Sequence, residues 1–191
     1  MDLQHVNVKI FVDGEMSTPA EDIIKVFHRW VSEQLMDELL IDVADYDHVP
    51  KGPGIVLVGH QADYAMDETD GRPGLRYNCK VARQGSNEDR CLHALRSAAK
   101  ACLRLESELD GLKFSRNEFQ VTINDRAQAP NSDETRVACE GVFKAFLGNV
   151  LGQGALGQSD FKIDYESDPR RLTGVVVSLA NPLDFDGLGT G

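Results

Sequence analysis

The side chains with the widest chemical repertoire are concentrated between Asp42 and Asp67, where Asp42, Asp45, Asp47, His48, His60, Asp63 and Asp67 fall in one short span. Carboxylate oxygens suit hard cations, and imidazole nitrogens added to them favour zinc or another transition ion. His48, His60 and Asp63 are the candidate metal ligands on that reading. Their spacing matches no established ligand pattern. There is no HxH and no HExxH, and all five histidines precede position 94. Without a metal, the same corner is a candidate binding surface for a small molecule or a protein, built from Asp45, Tyr46, His48, His60 and Asp63. Tyr46 would supply an apolar body with a polar tip.

Other motif-like stretches fail on register or order. Asp67-Glu68-Thr69-Asp70-Gly71 falls short of a calcium loop, which needs ligands at positions 1, 3 and 5, Gly at 6 and Glu at 12; here Thr69 stands third, Gly71 fifth and Asn78 twelfth. Gly152-Gln153-Gly154-Ala155-Leu156-Gly157 spells GxGxxG, yet it leaves an expected helix and precedes a strand, the reverse of a dinucleotide-binding turn. No GxSxG elbow is present, and Cys139 follows Asp133-Glu134, whose charge raises a thiol pKa. Cys79, Cys91, Cys102 and Cys139 are too widely spaced for a CxxC pair, so buried free thiols are expected. No catalytic residue or cofactor is assigned, and whether the chain is an enzyme stays open at this level.

The elements that must position these residues follow from periodicity. Val6, Val8, Ile10 and Val12 alternate as a strand, and Thr18-Pro19-Ala20-Glu21 opens a helix over about 19–36, with Thr18 as its cap and Pro19 in its first turn. Leu39–Val43 reads as a strand and 45–54 as a loop. Ile55–Val58, apolar throughout, reads as a central strand covered on both faces. Short strands are expected around Tyr64–Met66 and Leu75–Cys79, then a long helix over 88–109 carrying Cys91, Leu95, Ala98, Cys102 and Leu105. Phe119–Ile123 is a strand. A third helix, capped by Asn131, presents Val137, Ala138, Val142, Ala145, Phe146 and Val150 as its apolar stripe, and Phe161–Tyr165 and Thr173–Leu179 close the pattern as strands.

A thinned copy of the first half returns in the second. Asp45-Tyr46, Pro50 and Gly54-Ile55-Val56 are echoed by Asp164-Tyr165, Pro169 and Gly174-Val175-Val176, each after a Pro-led helix. The expected fold is therefore α+β: duplicated β-α-β-β modules, with three helices packed on a mainly antiparallel sheet. Residues 1–181 form one domain of two pseudo-repeats, 1–82 and 114–181, joined by the helix at 88–109; residues 182–191 form a flexible C-terminal tail. In order of elements alone this resembles the paired βαβββ units of the vicinal oxygen chelate enzymes and of sliding clamps, a likeness of fold that carries no function.

Charge narrows the partners. The chain has 20 Lys and Arg against 31 Asp and Glu, a formal net charge of -11, which repels nucleic acid and anionic membrane surfaces. Arg170-Arg171 is too small a basic patch to offset that balance. No apolar run has the length of a membrane span, and the N-terminus lacks a signal-like core, so a soluble cytoplasmic protein is expected. The expectation is a binding or assembly protein that engages a small ligand or protein partner through the Asp45–His60 corner. Homo-oligomerisation through a strand edge is one form of it. The alternative is a metal-assisted enzyme using His48, His60 and nearby carboxylates.

Overall fold

In the first strand, Val6, Val8 and Ile10 face one side while Asn7, Lys9 and Phe11 face the other, and this alternation organises the whole molecule. The computed structural model describes residues 1–50, 52–152 and 160–188. Its strands are β1 (Val6–Val12), β2 (Leu40–Tyr46), β3 (Gly54–Gly59), β4 (Ala62–Asp67), β5 (Gly74–Cys79), β6 (Phe114–Ile123), β7 (Phe161–Tyr165) and β8 (Gly174–Leu179). They form one eight-stranded sheet in the order β2-β3-β4-β5-β1-β6-β8-β7, and every pairing is antiparallel.

Among the described residues four helices pack against this sheet: α1 (Ala20–Glu33), α2 (Asn87–Glu108), α3 (Asp133–Leu151) and the short α4 (Phe185–Leu188). α1 lies against β2 and β3, while α2 crosses β1 and β5 and touches α3 and α4. A continuous apolar core joins Val8, Leu57, Leu75, Val121 and Val177 of the sheet to Phe27, Trp30, Leu95, Cys102 and Phe146 of the helices. α2 begins at a complete capping box, in which the Ser86 hydroxyl accepts from the Asp89 N–H and the Asp89 carboxylate accepts from the Ser86 N–H. Such a cap is worth about 1 kcal/mol. Glu108 ties α2 to α1 by accepting from the Trp30 indole at 3.0 Å. Glu106 ties α2 to β6 by accepting from both terminal nitrogens of Arg116, at 3.0 and 2.8 Å, and from the Phe114 N–H at 2.8 Å.

Several expectations change. Pro19 occupies the N-cap of α1 and no side chain caps that helix. Ser132 rather than Asn131 caps α3, and Asn131 instead donates to the carbonyls of Glu166 and Asp168. α3 buries Thr135, Cys139, Phe143, Phe146 and Leu147, leaving Val137 74% exposed. β3 is one strand in from the edge, with Val56 and Val58 only half-buried on the face away from the helices. Residues 183–188, expected to be loose, are anchored by buried Leu183, Phe185 and Leu188, and the Phe185 ring stacks on Arg116 at 4.0 Å. The GxGxxG-like stretch lies outside the described residues beyond Gly152. No helix among the described residues is long and apolar enough to cross a membrane.

Candidate functional site

The predicted corner lies on the β2–β3 hairpin, and the hairpin divides it. Tyr46 pairs with Gly54 at one end and Leu40 with Gly59 at the other. His48 sits in the connection beyond the first end and His60 follows the second, so about 15–20 Å of strand separates them. Both are exposed. Asp63, on β4, pairs with Val58; its carboxylate meets Lys80 at 2.6 Å and accepts from the Gly59 N–H at 3.1 Å. Asp45 accepts from the Asp47 N–H at 2.9 Å, and Tyr46 is 43% exposed beside it. Asp45, Tyr46 and His48 thus share the turn end of the hairpin, while His60 and Asp63 share the opposite end. Among the described residues no group of three or more His, Cys, Asp or Glu side chains is placed to hold a metal ion.

What the hairpin does bring together is an edge. β2 is the outer strand of the sheet, and Gly54 fixes its return: its φ of 66° places the site of a Cβ against the Met66 carbonyl, so only glycine fits there. Gln34, at φ 51°, ends α1 and clamps the start of β2, its amide accepting from the Leu40 N–H and donating to the Leu40 carbonyl. The Val43 N–H faces the free side of β2 and donates to the Asp42 carboxylate at 2.8 Å. Leu39, Ile41, Tyr46 and Val49 are all exposed along this segment. Among the described residues Asp42, Asp45 and Asp47 form no ion pair.

The face of the sheet away from the helices holds a second arrangement. Asp67 is fully buried and lies 3.2 Å from the Lys9 ammonium and 2.6 Å from the Arg76 guanidinium, and its other oxygen accepts from the Thr69 N–H and hydroxyl. Burial alone would raise the Asp67 carboxyl, but Arg76, Thr69 and Lys9 together hold it below its ordinary value. Burial pulls the Lys9 ammonium below its ordinary value, against the opposing attraction of Asp67. The Thr69–Gly71 turn folds over this cluster, and Asp70 pairs with Arg171 from the β7–β8 connection. Between these groups opens a cleft of about 290 Å³, lined by Asn7, Arg76, Gln120, Thr122, Arg126 and Arg171 with their neighbours.

A third polar set is buried except at His93, which is half-buried. The Tyr64 hydroxyl donates to buried Glu38 at 2.6 Å, Tyr64 meets Tyr77 edge-on, and the Tyr77 hydroxyl lies 3.0 Å from His93 Nε2. Burial, then the nearby Arg83 charge, lowers the His93 pKa. The four cysteines are buried and free, with burial pushing the Cys91 thiol up to about 12.

Sequence reasoning missed the lining of the cleft. Its signal was present in the polar phases of three strands, Asn7 and Lys9, Arg76 and Asn78, and Gln120 and Thr122. Only the register of β5, β1 and β6 makes them neighbours. No family model matches this chain, and no curated protein matches it.

Proposed function

We propose that this chain is a binding protein that adds an extended segment of a partner protein to the free edge of β2, with Asp45 and Tyr46 at the turn end of the contact. The observation that carries this reading is the concentration of exposed apolar side chains on one edge. Of the six large hydrophobic residues exposed among the described residues, Leu39, Ile41, Tyr46 and Val49 belong to a single eleven-residue segment around β2. An edge strand already presents unpaired backbone groups, and proteins ordinarily blunt such an edge unless it is used. Strand addition takes affinity from those backbone groups and specificity from the flanking side chains.

The opposite edge supplies the contrast. β7 carries Lys162 and Asp164, paired at 2.7 Å on its exposed side, while Phe161, Ile163 and Tyr165 are half-buried against the core. The strand order supports reading the chain as two modules within one domain. β1, β3 and β2 succeed one another outward as β6, β8 and β7 do, once the β4–β5 hairpin is taken as an insertion in the first. On that reading β2 and β7 are equivalent edges, and only one of them is left apolar.

Charge selects the partner. Asp42, Asp45 and Asp47 line the segment, so a strand alternating apolar residues with Lys or Arg complements it. Two copies of this chain paired antiparallel about Val43 and Ala44 would set Asp42 against Asp45 twice, on a chain of net charge -11. The buried free thiols support a reducing, cytosolic setting. The metal-assisted alternative gains nothing from a hairpin that holds His48 and His60 at opposite ends.

The test is fluorescence anisotropy with two labelled extended peptides, one alternating Ile with Lys and one alternating Ile with Glu. Saturable binding of the first alone, abolished by Val43→Pro, supports strand addition. Equal binding of both peptides, or binding indifferent to Val43→Pro, would overturn it, and a dimer at micromolar concentration by sedimentation would give the edge to a second copy.

A further inference from the structure

The cleft on the open face of the sheet is separate from the β2 edge, and its construction is that of a small-molecule site. Asn7 on β1 pairs with Asn78 of β5 and Thr122 of β6, and Lys9 pairs with Arg76 and Gln120. Adjacent strands lie about 4.8 Å apart, so Arg76 and Gln120, two strands distant, stand roughly 10 Å apart across a polar floor. Gly174 continues the Thr122 row and leaves it open at the far side, because it adds no side chain. The cleft volume of about 290 Å³ lies close to the lower end of the ~300–1,000 Å³ range of ligand pockets.

The floor has hydrogen-bonding capacity to spare. Half-buried Gln120 and Thr122 make no side-chain hydrogen bond to another described residue, whereas the Asn7 amide already donates to Asn78 at 2.6 Å and accepts from the Cys79 N–H. The walls carry positive charge. Arg76 meets the carboxylate of buried Asp67, which it shares with Lys9 behind the lining. Arg171 is held between Asp70 and Glu166, the latter at 3.0 Å. Arg126 donates only to the Arg170 carbonyl, at 2.8 Å, and meets no carboxylate among the described residues. The cleft lining thus sets three cations, Arg76, Arg126 and Arg171, against two carboxylates, Asp70 and Glu166, in a chain whose overall balance is strongly negative.

We propose that this cleft binds a small hydroxyl-bearing organic anion, whose carboxylate or phosphate group meets Arg126 and Arg76 and whose hydroxyls meet Gln120 and Thr122. Arg126 is the residue whose charge is not already committed, and planar guanidinium donors match the oxygens of either group. Asp70 and Glu166, fixed by Arg171, form the acidic rim that rejects a ligand with excess negative charge on that side. The contact draws on both halves of the chain, with the Asp70–Arg171 pair joining residues 101 positions apart across its mouth.

The experiment is an amide NMR titration of the full chain with three probes: inorganic phosphate, tartrate, and the uncharged polyol xylitol, all at constant ionic strength set with chloride. Saturable shifts centred on Thr122, Arg126 and Gly174 with phosphate or tartrate, and none with xylitol, support the site; the stronger of the two anions identifies the group recognised. Arg126→Gln, at an exposed position, leaves the fold intact and should weaken binding by about tenfold or more, the loss expected of a charge-assisted hydrogen bond. Gln120→Leu should weaken tartrate more than phosphate. Shifts that fail to saturate, that xylitol reproduces, or that persist unchanged in Arg126→Gln would overturn the assignment.

Discussion

The backbone N–H of Val43, on the free side of the outermost strand, donates to the carboxylate of the residue before it, Asp42, at 2.8 Å. This contact occupies an edge donor locally and in monomeric form, while the apolar side chains beside it stay exposed. A partner strand that offers a carbonyl to Val43 takes the place of the Asp42 oxygen and frees that carboxylate to meet a cation.

Asp42→Asn separates these two roles, since the amide oxygen still accepts from Val43 while the charge is gone. Monomer stability should change by less than about 0.5 kcal/mol in urea unfolding. Binding of the Ile/Lys peptide should weaken up to about fivefold and lose part of its salt dependence, as expected for one exposed ion pair.

Leu39→Ser with Ile41→Thr removes exposed apolar surface without touching the core. Thermal stability should hold to within about 0.5 kcal/mol, and the peptide should no longer bind measurably. A cooperative loss of folding would instead make both residues structural.

Asp67→Asn strips the carboxylate shared by buried Lys9 and half-buried Arg76, and removing one partner of such a cluster costs about 3 kcal/mol or more. The pH dependence has a definite sign. A carboxyl held below its ordinary value of 3.8 contributes stability above that value and loses it as the pH falls through the depressed folded value. The gap between wild type and Asp67→Asn in urea midpoint should therefore be widest near neutrality and narrow below pH 3.8.

Tyr64→Phe leaves the ring against Tyr77 but takes the hydroxyl away from Glu38, which is only 5% exposed. The unsatisfied carboxylate should cost about 1–3 kcal/mol by urea unfolding. Glu38→Gln in the same background should recover part of that loss.

Much of the scaffold was legible because period and capping are local. β1 and β8 follow from alternation and valine content, and α2 from the helical spacing of its apolar residues. α3 was placed correctly but its buried stripe only in part: Phe146 is buried and Val142 and Val150 pack on the core, whereas Val137, Ala138 and Ala145 are exposed. Apolar residues surround the helix, so its own pattern does not distinguish Val137, which is exposed, from Cys139, which the core covers. β6 starts at Phe114 because its polar first half is held by backbone pairing to Val12, which no side-chain pattern announces. Tyr46 and Asp45 extend β2 for the same reason. The candidate corner was legible in composition but not in space: a loop-bounded strand separates His48 from His60, and strand length, not sequence proximity, sets their distance. The cleft was illegible, because Arg76, Gln120, Arg126 and Arg171 meet only through sheet order and register.

The most direct measurement is hydrogen exchange of the Val43 amide in the full chain, with and without saturating Ile/Lys peptide. Strand addition predicts slowed exchange at Val43, with the β7 amides unchanged. Unaltered exchange at Val43 in the presence of bound peptide, or protection that appears at β7, would contradict it.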